Sequence, residues 1–184
     1  MLIHKGTQTI ETERLILRRF RMDDCNAMFE NWANDHEVTR YLSWPTHENV
    51  DTSRAVLTDW VASYEKEDFY LWAITIKSEG DSPIGSISAF DINNSVAKIE
   101  IGYCIGKKWW RKGIMTEALG AVMSFLFDNV GFNRIQACHD PRNPNSGKVM
   151  TKCGMKFEGT LRQEGRNNQG ICDVSVYAQL KGDR

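Results

Sequence analysis

Apolar and polar positions change their period several times along the chain, and each change predicts an element. Around residues 12–20, Leu15, Leu17 and Arg19 alternate with Ile16, Arg18 and Phe20, the period of a first strand. In the following segment, MDDCNAMFENWAND, Ala27, Met28 and Trp32 recur at helical spacing behind the cap-like Asp23 and Asp24. A second, longer helix starts at Asn49 or Asp51 and carries Val56, Leu57, Trp60, Val61 and Tyr64 on one side. The pattern then turns aromatic and β-branched. Strands are expected at 69–76, 84–92 and 97–105, with turns at 78–83 and 93–95, which reads as an antiparallel meander. A helix from about 112 to 129 and a strand at Phe132–His139 form a crossover, which favours a parallel pair. Pro144–Cys153 reads as a helix stopped by Gly154. Residues 156–163 and 171–181 read as closing strands joined by the polar loop EGRNNQG.

Seven strands and about four helices in this order predict an α+β fold around one mixed, largely antiparallel sheet. Only four prolines occur, and no Pro/Gly/Ser-rich linker or repeat divides the chain, so residues 1–184 are expected to form a single domain. Hydrophobic residues make up 41% of the chain, enough for a packed core. No run approaches the roughly 18 apolar residues of a membrane span, and the N-terminus shows no apolar signal region. No membrane partner is expected. The five cysteines are scattered and odd in number, with neither CxxC nor zinc-type spacing. They read as free thiols of a cytoplasmic protein that holds no metal.

Charge changes this picture. The total is only −1, but residues 1–92 carry nine basic and sixteen acidic side chains, whereas residues 93–184 carry fourteen basic and eight acidic. The second half is thus suited to an anion and the first to a cation. A pI near 6.4 and the acidic first half argue against a nucleic-acid partner.

The chemistry concentrates after residue 106. Trp110-Arg111-Lys112-Gly113-Ile114-Met115-Thr116-Glu117-Ala118 leaves a strand and opens a helix, where unpaired amides and a partial positive charge suit phosphate. Lys107, Lys108, Arg111 and Lys112 crowd the same entrance, and Gly113 permits close backbone approach. The spacing matches neither a P-loop nor GxGxxG. Further on, Asn143-Pro144-Asn145-Ser146 is followed by Val149, Lys152 and Gly154.

Taken together, these clusters resemble the GCN5-related N-acetyltransferases (GNAT), in particular the branch that acetylates ribosomal-protein N-termini. The resemblance starts at Glu11-Thr12-Glu13-Arg14-Leu15-Ile16-Leu17-Arg18. It continues through Ile99-Glu100-Ile101-Gly102-Tyr103, the WxxGxxTEA turn and the NxxS helix to Glu158-Gly159, Arg162 and Asp173. It implies the GNAT fold, with the sheet splayed between the family's fourth and fifth strands, and acetyl transfer from acetyl-CoA to a primary amine by direct attack in a ternary complex. The amine would belong to a protein N-terminus, such as that of a ribosomal protein, or to a small molecule. A homodimer is compatible with the family. The alternative is a non-catalytic CoA-binding regulatory module.

Residue by residue, the resemblance assigns cofactor binding to the edge Tyr103, Cys104 and Ile105 and to Arg111, Lys112, Gly113, Ile114, Met115 and Thr116. It adds Asn143, Ser146 and Lys152. Two positions depart from the family's (Q/R)xxGx(G/A) loop, Trp110 at its start and Met115 at its end. An amide cradle needs only backbone N–H groups, so the function survives both. A backbone N–H near Tyr103–Cys104 would stabilise the thioester oxyanion. Many relatives place a tyrosine acid where this chain has Met150, so Ser146 is expected to hydrogen-bond the leaving sulfur, with a helix N-cap as its structural alternative. Glu100 is the first candidate for the base, acting through water, and Glu164 the second. Surface charge or a structural ion pair is the alternative for both. Phe69, Tyr70 and Trp44 are candidates for an acceptor groove. His139-Asp140 is half of a hydrolytic triad without its nucleophile elbow and reads as a strand end.

Overall fold

The computed structural model describes residues 2–184, and its frame is one eight-stranded sheet in the order β1-β2-β3-β4-β5-β6-β8-β7. The strands are β1 (Ile10–Glu11), β2 (Leu15–Arg18), β3 (Tyr70–Ile76), β4 (Gly85–Asn93), β5 (Lys98–Ile105), β6 (Arg134–His139), β7 (Lys156–Asn167) and β8 (Gly170–Leu180). All neighbours run antiparallel except β5 and β6, the parallel pair that the crossover predicted. The eighth strand is β1, a two-residue ribbon pairing Ile10 with Leu17, too short to leave an alternation in the sequence.

Five α-helices flank the sheet: α1 (Cys25–Met28), α2 (His36–Thr39), α3 (Val50–Ser63), α4 (Ile114–Phe125) and α5 (Pro144–Lys152). The single helix expected after residue 23 is broken. α1 passes into a π-helical turn at Phe29–Ala33, and the chain restarts as α2 because the Asp35 carboxylate accepts from the amides of Glu37 and Val38. Asp24 is not chiefly a cap either. Its two oxygens take both terminal nitrogens of the buried Arg18, each at 2.8 Å. For α3 the cap is Asn49, whose side chain accepts from the Thr52 amide at 3.1 Å.

Both faces of the sheet are covered. One face packs Leu15, Leu17, Trp72 and Ile101 against α4 and α5 through Leu119, Val122 and Met150. The other packs Leu71 and Ala73 against α1, the π-helical turn and α3 through Met28, Trp32 and Leu57. β3 lies mid-sheet and is buried along its whole length, which explains its uninterrupted apolar run.

Candidate active site

The β5–β6 ladder pairs Lys98 with Arg134 and ends at Ile101 with Ala137. β5 continues to Ile105 against β4, while β6 continues to His139 against β8. The two strands therefore part after Ile101, in the place where the resemblance put the splay.

Antiparallel alternation decides which groups face the gap. The Gly106 amide bonds the Ile84 carbonyl, and the β4 register carries that role back to Cys104 and Gly102. The N–H and C=O of Tyr103 and the N–H of Ile105 are left toward the gap. Cys104 instead turns its amide to β4 and its thiol to Ser86. Of the three edge residues expected to meet the cofactor, Cys104 alone points its backbone elsewhere, which leaves the Tyr103 N–H as the amide that faces the gap.

After β5 the chain forms the loop expected to hold an anion, here the anion loop. The Trp110 indole donates to the Ile105 carbonyl at 2.8 Å, so the first departure from the family's loop pattern anchors that loop to the strand edge. Arg111 and Gly113 both take left-handed backbone, at φ 61° and 75°, which turns successive amides to one side. The first helical bond of α4 runs from the Glu117 amide to the Gly113 carbonyl, and the amides from Arg111 to Thr116 find no acceptor among the described residues. Glu117 braces the start of α4. It accepts from the Thr12 hydroxyl at 2.6 Å and from the amide and Nε of Arg14 at 2.9 and 2.6 Å. Burial opposes its charge, but these donors hold its carboxyl below the ordinary range.

The facing wall is the start of α5. Asn143 occupies the N-cap position, which leaves Ser146 on the third helical residue and removes the N-cap explanation for it. Asn143 spends no side-chain bond on capping. Its Nδ2 donates to Ser146 Oγ at 3.1 Å, leaving Asn143 Oδ1 and the Ser146 hydroxyl proton for a ligand. The Tyr103 hydroxyl donates to the Ser146 carbonyl at 2.9 Å and ties β5 to α5 across the gap. At the other end of α5, Cys153 Sγ reaches the Thr116 carbonyl at 3.3 Å, so exposed Lys152 stands in the turn packed beside the anion loop.

The ends of β5 and β6 and the start of α5 line an open cavity of about 220 Å³ at Ile101–Tyr103, Cys138–Asp140, Asn143 and Ser146. Its far wall comes from two segments that the sequence did not single out, Tyr41–Ser43 and Gly165–Asn167. Asn168 docks them together. Its Nδ2 donates to the carbonyls of Thr39 and Trp44 at 2.9 and 2.8 Å. The proposed groove residues lie elsewhere: Tyr70 is buried in the core, and Phe69 and Trp44 pack beside the cluster under α3.

The two candidate bases are separated. Glu100 sits opposite Gln136 in the last paired stretch and accepts from its Nε2 at 2.9 Å, one residue before the splay. Glu164 is exposed on β7, which runs on to Asn167 rather than stopping at 163, and it does not line the cavity. Burial, then the Glu100 charge, pushes the cavity-lining Cys138 thiol up to about 12. Burial likewise raises Cys104. Neither supplies a ready thiolate.

Asp140 lies at the cavity floor, its side chain 2% exposed. Arg142 holds it through Nη2 at 2.6 Å and through its amide at 2.8 Å, and Asn167 Nδ2 adds a bond at 2.8 Å. The Arg142 bond, working against burial and helped by the other donors, lowers the carboxyl to about 2. A depressed carboxylate stabilises the fold above its ordinary pKa and loses that contribution as pH falls through the folded value. Asp140→Asn is therefore expected to cost about 2 kcal/mol at pH 7 in urea unfolding, with the deficit shrinking from pH 4 toward pH 2. A deficit that does not change with pH would exclude this ionic role.

The comparisons agree with this geometry. A family model described as an acetyltransferase (GNAT) domain matches residues 14–156. The uncharacterized N-acetyltransferase YoaA of Bacillus subtilis is 32% identical over 172 residues, covering 94% of this chain and 96% of its own. The [ribosomal protein uS5]-alanine N-acetyltransferase of Escherichia coli is 39% identical over 157 residues, covering 82% and 79%. Among solved structures, the microcin C7 self-immunity acetyltransferase MccE, in complex with acetyl-CoA and AMP, shares the fold at TM-score 0.81 and 19% identity, covering 92% of this chain and 93% of its own. The chain is an N-acetyltransferase that uses acetyl-CoA, and it belongs to the GNAT acetyltransferase family.

Proposed function

We propose that the chain transfers acetyl to a primary amine that attacks the thioester directly within the gap, in a ternary complex. The observation that carries this reading is the end of the β5–β6 ladder after Ile101, which leaves the Tyr103 backbone unpaired in one cavity with Asn143 and Ser146. Acetyl-CoA supplies an activated acyl group, and the protein's residues do the rest. The Tyr103 N–H stands where an oxyanion needs a donor. Asn143 Oδ1 and the strand edge can pair with amides of the pantetheine arm. The amides from Arg111 to Thr116 and exposed Lys152 form the anion end. The Ser146 hydroxyl protonates or hydrogen-bonds the departing sulfur. The raised thiols of Cys104 and Cys138 favour direct attack over an acyl-cysteine.

Glu100 takes the amine's proton through water, and Glu164 is the second choice. Glu100→Gln is expected to lower kcat/KM about tenfold at neutral pH, with partial recovery at high pH, where more amine is already deprotonated. If Glu164→Gln shows that profile instead, the assignment moves to Glu164.

The acceptor is a protein N-terminal amine, the class in the uS5 enzyme's name, or a small-molecule amine. The free cysteines suit a cytoplasmic setting. Titrating acetyl-CoA against a panel of amines while following free thiol tests the whole reading. Tight acetyl-CoA binding with no thiol release from any amine would favour a CoA-binding module.

A further inference from the structure

The ionisable side chains lining the cavity include His139, Asp140 and Arg166. Asp140 is already neutralised by Arg142 and held by Asn167. Arg166, on β7 one residue from the hairpin turn, lines the cavity, and its guanidinium has no hydrogen-bond or ion-pair partner among the described residues. Two more guanidiniums flank the wall residue Tyr41, those of Arg40 and Arg142, at 5.3 and 5.9 Å from its ring centre. Arg142 is answered by Asp140, but no carboxylate of the lining answers Arg40 or Arg166. Glu164 is exposed and off it, and Asp173 lines a neighbouring hollow. The acidic surplus of residues 1–92 does not reach the cavity either, because that half contributes only Tyr41, Leu42 and Ser43.

This lining would attract an anion at the acceptor end rather than a simple cationic amine. A guanidinium presents forked donors that match carboxylate and phosphoryl oxygens. Tyr103, Asn143 and Ser146 of this lining face the acetyl-CoA arm in the reading above, so only the Arg166 end of the cavity of about 220 Å³ is left for the acceptor, which suits a small one. Resting on the acetyl-transfer reading above, we infer that the acceptor is a small amine bearing a carboxylate or phosphoryl group a few bonds from its nitrogen, and that Arg166 binds that group.

Two matched pairs test this at saturating acetyl-CoA: alanine against alaninamide, and phosphoethanolamine against ethanolamine. Thiol release is followed with the wild-type protein, Arg166→Gln and Arg166→Lys. Alaninamide is the less basic amine and has more free base at neutral pH, so a preference for alanine cannot arise from amine ionisation. One anionic member should exceed its neutral partner by about tenfold or more in kcat/KM, through KM. Arg166→Gln should reduce that ratio to about twofold, with Arg166→Lys between, while acetyl-CoA affinity stays unchanged. The pair that shows the preference separates carboxylate from phosphoryl. Equal or better use of the neutral members, or a ratio that survives Arg166→Gln, would overturn the inference while acetyl transfer stands. No release from any of the four would also overturn it, and acetyl transfer would then be judged on the wider amine panel.

Discussion

Ser146→Ala is expected to lower turnover about 10²-fold while changing acetyl-CoA affinity less than about threefold. The reason lies in how the hydroxyl is held. Asn143 Nδ2 donates to Ser146 Oγ at 3.1 Å, so the serine's own proton is free to be donated. No neighbour can replace it easily. The Tyr103 proton is committed to the Ser146 carbonyl, and burial pushes that phenol up. Met150 has no proton to give and is 1% exposed in the core. Alanine should keep the helix intact, because the cap position belongs to Asn143 and the Tyr103 bond uses a backbone carbonyl. Steady-state rates together with a direct acetyl-CoA titration separate the two effects. Unchanged turnover would remove Ser146 from the mechanism.

The elements that carry the proposed cofactor residues were legible in the sequence because they are built from local features. The strand alternation at Ile99–Tyr103, the glycine before α4 and the Asn143–Ser146 spacing each signal within a few residues; the structure lines one cavity with Ile101–Tyr103, Asn143 and Ser146 and sets Gly113 in the loop that follows β5. Period-two alternation, read further, would also have turned the Cys104 backbone away from that gap. The acceptor side left no such signal. Its wall depends on Asn168 reaching Thr39 and Trp44, contacts that span more than a hundred residues of sequence. Arg166 sat in what read as a polar loop, because glycine and asparagine masked the continuation of β7 to Asn167. The break between α1 and α2 was hidden for a different reason. A π-helical turn keeps an apolar face nearly in phase, so Met28 and Trp32 still point inward together. The half-chain charge asymmetry is real, but the acidic half contributes only Tyr41, Leu42 and Ser43 to the cavity, since folding decides which charges line it.

Gly113→Val is expected to weaken acetyl-CoA binding about 10²-fold with only a modest loss of stability. Gly113 sits at φ 75°, where a β-branched side chain is a strained outlier. An added Cβ would find only Arg14 Nη2 within 4 Å, at 3.5 Å, so the free protein has room for it. The loop is also braced by Arg14, which donates to the Lys112 carbonyl at 3.0 Å and holds Glu117. Relief of the strain must then come from the backbone, which would rotate Gly113 out of the left-handed region and turn the amides leading into α4 away from a common focus. Several charge-assisted hydrogen bonds to a phosphate would weaken at once, each worth about 1.5–3 kcal/mol. Thermal melts would report the small structural cost, and calorimetric titration at two salt concentrations would report the binding. The wild-type affinity should fall with added salt, as an exposed phosphate contact requires, and that of the Gly113→Val variant should fall less because it has less ionic binding to lose. Retained affinity in the variant would show that phosphate does not rest on the amides around Gly113.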